Sequence, residues 1–264
     1  MERMMISQAT ARSIFSKHYN APIAGGVKTA VAKMLRSLDL VGWSTHEDSG
    51  RVDRRAFTRY ATGSTNVFSR RTYKEADLSA VHVLVDCSGS MHDSASTVQA
   101  TLIQLARTLD ECKTPFAITG FRGDNVKLYS KSDIGQSAEY TEGEALTVIP
   151  FKAWGESIHR ASAKIGSYIH KITDCTPDFS GLRFAIKDVS KRPERKKIVF
   201  IITDADDFSA VGVHYLHELA DKLGVKIVAL GVGSDLVGDV FRNSVVVHTG
   251  LDTSAFKLLA NNLK

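Results

Sequence analysis

The chain has 264 residues, of which 43% are hydrophobic and 24% charged, and it carries a formal net charge of +5. This balance excludes a disordered or fibrous chain and supplies ample apolar material for a core, while the mild positive charge permits a nucleic-acid or acidic protein partner without demanding one. Three cysteines without CxxC spacing argue against a disulfide framework and for a reducing compartment.

The opening MERMMISQATARSIF is broken by charged and polar residues where a signal peptide needs an apolar core. No later stretch approaches the roughly 20 apolar residues of a membrane span, so the chain reads as cytoplasmic. Residues 1–41 carry helical periodicity, with Ala30, Val31, Met34, Leu35 and Leu38 at spacings that line one face. From 42 to 79 the composition turns polar and basic, with Gly50, Gly63, Ser64 and Asn66 as turn formers, which predicts an extended basic arm or small subdomain.

From 80 to 264 strand and helix signals alternate. Strands are predicted at Val81–Val85, Pro115–Phe121, Ile198–Thr203, Val225–Val232 and Val245–His248. Helices are predicted at Thr97–Cys112, Glu156–Ile172, Leu182–Val189, Val213–Leu223 and Ser254–Leu263, and Asn125–Pro150 is weakly patterned. Continuous apolar strands separated by helices predict a doubly wound α/β fold, a mostly parallel sheet flanked by helices. Ligands of such sheets gather at the carboxyl ends of the strands.

Two apolar strands end in acids at that edge, VHVLVD at Asp86 and IVFIITD at Asp204. After the first comes Ser88-Gly89-Ser90, and alternation lets Asp86, Ser88 and Ser90 point one way while Cys87 points the other. One carboxylate and two hydroxyls make a hard oxygen set suited to Mg²⁺, or to Mn²⁺ or Ca²⁺, rather than zinc. A serine-rich turn capping a helix is the plain alternative for a motif this short, and the second strand-end acid weighs against it.

A strand followed by D-x-S-x-S, then a threonine loop, then an apolar strand ending in Thr-Asp resembles the von Willebrand factor A (vWA) domain and its metal-ion-dependent adhesion site. The match falls on Asp86, Ser88 and Ser90, on Thr176 in DCTPDFSGLRFA, and on Asp204 in IVFIITDADD. The resemblance implies that the two serines and Thr176 coordinate the ion while both aspartates act largely through water. That family usually has glycine before the threonine, where this chain has Asp174-Cys175, so Ser180 is the alternative ligand.

A narrower resemblance is to the C-terminal region of the CobT-type subunit of aerobic cobaltochelatase. It rests on SGRVDRRAFTRYATGSTNVFSRRTYKEAD leading into LVDCSGSM, and on LARTLDECKTPFAITGFRG, VIPFKAWGESIHRASAKIG and VKIVALGVGSD. It implies a non-catalytic adaptor working with an AAA+ ATPase of the CobS or MoxR type. A client protein would supply an acidic ligand to the metal. The long N-terminal region and acidic linker of that subunit are missing, so domain type and ATPase partner carry over better than chelation. Short proteins of this type also occur in bacteriophage genomes.

Other motifs carry less. Positions 86–90 read D-C-S-G-S, not the G-x-S-x-G elbow of a serine hydrolase, and GGVKT at 25–29 lacks phosphate-loop spacing. His214, His217, Glu218 and Asp221 read as a solvated helix face, Cys87 and Cys175 as small core residues, and Phe121, Trp154 and Phe184 as core aromatics. Arg54-Arg55, Arg70-Arg71 and the basic run 191–197 support an alternative reading, a vWA-type nucleic-acid-binding protein.

Overall fold

Apolar runs long enough to be buried on both faces build the centre of the sheet. The computed structural model describes residues 6–23, 26–35, 38–56, 60, 63, 65–75, 79–124, 145–172, 180–206, 208 and 210–247. Six strands, β4 (Ala80–Asp86), β5 (Phe116–Asp124), β6 (Ala145–Lys152), β7 (Lys197–Thr203), β8 (Val225–Val232) and β9 (Ser244–Val247), form one sheet in the order β6-β5-β4-β7-β8-β9. All neighbours run parallel except β6, which lies antiparallel on β5. The sheet is therefore mostly parallel and flanked by helices, as the alternating pattern predicts.

Every residue of β4 is buried. Val81, Val83 and Val85 face one core, shared with Leu102, Leu105 and Leu109 of α3 (Ala95–Glu111). Ala80 and Leu84 face the other, shared with Leu182 and Ile186 of α5 (Ser180–Ser190) and Val213 and Leu216 of α6 (Ala210–Lys222). Each such aliphatic side chain contributes about 1.5–3 kcal/mol, so two-faced burial holds β4 as the rigid axis of the sheet.

The weakly patterned 125–150 stretch ends in β6, an edge strand whose Pro150 is tolerated because an edge needs fewer ladder donors. Its residues 146–149 are only half-buried, which is why no clean apolar run announces it. The predicted helix at 156–172 is shorter. After α4 (Ile158–Gly166) the chain tightens into a 3-10 turn at Tyr168–Lys171. The predicted closing helix at 254–263 lies outside the described residues.

The N-terminal helices α1 (Gln8–Tyr19) and α2 (Val27–Leu35) join the main core through Phe15, Val27, Val31 and Met34. Helix α2 stops at Leu35, and Leu38, expected on its face, opens a strand instead. Helix α1 lies directly on α4, where a Cβ at Gly166 would stand 2.0 Å from the carbonyl oxygen of Ala11. Arg107 of α3 ties down the end of α1 by donating to the carbonyls of Tyr19 at 2.7 Å and Ala21 at 3.0 Å. Between these helices and β4, strands β1 (Leu38–Glu47), β2 (Arg51–Val52) and β3 (Phe68–Glu75) make a three-stranded antiparallel sheet in the order β1-β3-β2. It carries the exposed Arg51 and Arg70. Among the described residues, no helix is long and apolar enough to cross a membrane.

Candidate metal centre

From β4 the chain first moves to β5 on one side and later crosses to β7 on the other. The carboxyl ends of β4 and β7 thus flank the point where the winding reverses, the crevice in which open α/β sheets place ligands. Asp86 ends β4 and Asp204 follows β7 directly, so both strand-end acids arrive there.

Asp86 is only 1% exposed. Its Oδ1 accepts the backbone N–H of Ser88 at 2.9 Å and its Oδ2 accepts the hydroxyl of Thr203 at 2.8 Å. Both donors are neutral. Burial pushes the Asp86 carboxyl up to about 7, and the nearby Asp204 pushes the same way, while the Ser88 and Thr203 bonds pull against them. Thr203 also accepts the N–H of Ala205 at 3.0 Å, so one hydroxyl links the two strand ends. Ala205 takes a positive φ of 64°, a conformation costing a non-glycine residue on the order of 1–2 kcal/mol.

Ser88 is buried and Ser90 exposed, and their hydroxyl oxygens sit 3.1 Å apart. The loop is fixed from below by the fully buried Met91, and from the side by Tyr168, whose hydroxyl donates to the Asp86 carbonyl at 2.7 Å. Cys87 points the other way, into the core. A Cβ at Gly120 would lie 2.7 Å from its sulfur, and burial pushes its thiol well up, as expected of packing rather than redox use.

Buried Asp204 completes the described part of the site, and its Oδ1 accepts the Asp206 N–H at a long 3.4 Å. Thr176 and Cys175 fall in 173–179, outside the described residues. Ser180, the alternative ligand, is the exposed first residue of α5. Asp86, Ser88 and Ser90 are thus brought together in one loop, with Asp204 on the neighbouring strand end. Among the described residues the donor set is all oxygen, and a buried carboxylate sits among hydroxyls with only neutral hydrogen-bond donors. That chemistry fits a hard divalent cation.

Two residues of this arrangement escaped the sequence reading. Thr203 was legible as the threonine of Ile-Thr-Asp, where a strand-end hydroxyl precedes the acid. Tyr168 carried no signal, since a lone tyrosine after a helix has no defined direction.

Several expectations need correction. His217 is 5% exposed, not on a solvated face. Its Nε2 accepts the Arg242 N–H at 3.4 Å, its ring packs edge-on to Phe241, and burial lowers its basicity. Phe184 is 37% exposed and Trp154 half-buried, so of the three aromatics only Phe121 is core. Both instead flank His82. In the basic run, Arg192 pairs with Glu194 at 2.6 Å and stacks over Trp154, and Lys196 donates to the carbonyl of Met34. Part of that run therefore holds the fold together.

His82 has a hydrogen-bond pattern that looks catalytic. Its Nδ1 lies 2.9 Å from Asp188 Oδ2 and its Nε2 lies 2.8 Å from Thr119 Oγ1. A carboxylate only accepts, so Nδ1 carries a proton toward Asp188, and Nε2 pairs with the Thr119 hydroxyl. Yet His82 is fully buried and Thr119 8% exposed, under Trp154 and Phe184. The arrangement satisfies a buried histidine rather than activating a nucleophile.

A doubly wound sheet with D-x-S-x-S and Thr-Asp at adjacent strand ends defines a vWA domain with the loops of a metal-ion-dependent adhesion site. The chain belongs to the family described as the cobalamin biosynthesis protein CobT VWA domain, whose pattern matches residues 67–255. No curated protein matches it at the level of sequence. Among solved structures it is similar to the conserved hypothetical protein BatB from Bacteroides thetaiotaomicron, at 14% identity and TM-score 0.43 over 70% of this chain and 96% of that one. It is also similar to proximal thread matrix protein 1 from the mussel byssus with a zinc-occupied adhesion-site motif, at 18% identity and TM-score 0.44 over 70% and 45% of the two chains. A third is manganese-loaded Plasmodium vivax TRAP protein, at 15% identity and TM-score 0.44 over 70% and 72%.

Proposed function

We propose that the chain is a divalent-metal-dependent protein-interaction module, with Asp86, Ser88, Ser90, Thr176 and Asp204 holding Mg²⁺, or Mn²⁺ or Ca²⁺, at the β4–β7 crevice. The observation that carries this reading is Asp86, a buried carboxylate whose hydrogen bonds come from neutral groups. A divalent ion bound there would supply the missing positive charge and an open coordination position for an aspartate or glutamate of a client. The chain's own residues do the rest. Tyr168 and Met91 hold the first loop, Thr203 aims the Asp86 carboxylate, and the burial of Ser88 limits competing water.

The CobT-type family supports a cytoplasmic adaptor role beside an AAA+ ATPase of the CobS or MoxR type. The task there would be presenting a client, with metal insertion as in cobaltochelatase being one such process. The test is co-precipitation of the ATPase and client with and without EDTA, using the intact chain and Asp86→Ala. Loss of the client in both treatments is the expected result. Capture that survives both unchanged sinks the ion-bridged mechanism.

A further inference from the structure

The outward face of α5 carries a charge pattern that the fold does not explain. Ser180, Arg183, Phe184 and Lys187, with Lys191 in the turn that follows, fall on one side at three- and four-residue spacing, and all five are exposed. Leu182, Ala185, Ile186 and Val189 supply the buried side. The one acid of the helix, Asp188, turns toward the sheet and is held there by His82 and Trp154. Among the described residues, Arg183, Lys187 and Lys191 form no ion pair. Lys191 acts on Asp188 only at longer range, helping to lower its carboxyl.

This pattern works against the helix. Arg183 with Lys187, and Lys187 with Lys191, are like charges one helical turn apart, a destabilising arrangement. Arg183 also stands in the first turn, where the helix dipole favours an acid and none is present. Phe184, 37% exposed, sits among these cations with its ring at right angles to that of the buried His82. The stripe starts at the metal edge: a Cβ at Gly181 would lie 2.6 Å from the Phe121 ring, and Phe121 is the β5 partner of Asp86. Its far end lies where Asp188 meets His82, near the amino end of β4. From Arg183 to Lys191 the face runs about 12 Å, a span that about four extended residues cover.

We infer that the outward face of α5 binds an acidic segment of the client protein, its carboxylates on Arg183, Lys187 and Lys191 and an apolar side chain against Phe184. Charge complementarity calls for an anionic occupant, since unpaired cations that repel one another in the free chain are relieved by it. Continuity with the metal crevice selects a protein segment, because the carboxylate proposed to reach the ion and the acids on the stripe then belong to one stretch of chain. A nucleic-acid strand would meet the same cations but would rely on base stacking, and this face of α5 offers a single ring. The inference deepens the proposed function and rests on it only for the carboxylate at the ion.

A fluorescein-labelled peptide with one phenylalanine among aspartates and glutamates tests it by anisotropy in Mg²⁺ at moderate salt. Saturable binding is expected, weakened about tenfold by K187E, about thirtyfold by R183E/K187E and about threefold by F184S. R183Q/K187Q, which removes the charges without reversing them, should cost about tenfold. R12E/K17E makes the same change of charge at exposed positions of α1 and should bind like the intact chain. Melting temperature and Mn²⁺ affinity should hold in R183E/K187E, because both positions are exposed and an acid suits the first turn. Binding that survives EDTA yet fails with R183E/K187E upholds the stripe and sinks only the ion bridge. Three results overturn the inference: no binding to the intact chain, equal losses in R183E/K187E and R12E/K17E, or an oligothymidylate strand held through the same residues more tightly than the peptide.

Discussion

Asp188 and Asp86 lie near opposite ends of β4 and are treated in opposite ways. Asp188, near the amino end of β4, receives His82 at 2.9 Å and the indole N–H of Trp154 at 2.7 Å on the same oxygen. The His82 bond holds its carboxyl below the usual range. Asp86, at the carboxyl end of the same strand, has only neutral hydrogen-bond partners among the described residues and is pushed up to about 7 by burial. One carboxylate is satisfied by the fold, and the other is the one proposed to meet a cation. The contrast runs together with burial, since Asp86 is buried and Asp188 only half-buried.

The largest test of the contrast exchanges the two phenotypes. Asp86→Asn should weaken Mn²⁺ binding at least about 100-fold while the melting temperature in EDTA stays the same or rises, because a poorly solvated carboxylate is gone. Asp188→Ala should leave Mn²⁺ affinity unchanged but cost about 1–3 kcal/mol, since it orphans the buried His82. Calorimetry and thermal melts on both variants check it, and equal metal loss in the two would erase the distinction.

Acidity sharpens it next. In the metal-free fold Asp86 holds a proton up to about pH 7, against an ordinary value of 3.8 that applies once the chain unfolds. Its contribution to metal-free stability therefore falls as pH rises from about 4 to 7 and is flat above. Ion binding must expel that proton, so Mn²⁺ affinity at pH 5.5 should be about thirtyfold below that at pH 8. Asp188 has the reverse sign: its lowered carboxyl stabilises the fold above the ordinary range, and that contribution is lost as pH falls through its folded value. Metal titrations and EDTA melts across pH read the two separately.

Smaller effects come from the rim. Ser90 is exposed and bonds only its neighbour Ser88 among the hydrogen bonds described, so Ser90→Ala should cost about tenfold in Mn²⁺ affinity and almost nothing in stability. Gly166→Ala places a methyl against the Ala11 carbonyl and should loosen α1, lowering the fold's stability by about 1–3 kcal/mol. Metal affinity should hold, and limited proteolysis should show earlier cleavage near α1.

Much of the fold was legible because burial on two faces leaves no choice of residue. β4, β7 and β8 are nearly unbroken apolar runs, and an acid placed directly after such a run must surface at the ligand-bearing edge. The edge strand β6 was not legible, because half-exposed positions and Pro150 blur its alternation. Nor was the outward turn of Phe184, since an aromatic on a helix reads as core until its neighbours are known. Within the site, D-C-S-G-S and the Thr-Asp strand end were visible as local strings, whereas the Tyr168 support comes from 82 residues away.

By itself the sequence determined a doubly wound domain and which strand ends carry oxygen donors, because periodicity and strand-end chemistry are local properties. Only the tertiary structure decided that Thr203 bridges to Asp86, that His82 and Asp188 pair, and that α1 packs on α4 at backbone contact. Those outcomes depend on which backbones approach closely and which charges lose water together, and neither is encoded at any single stretch of chain.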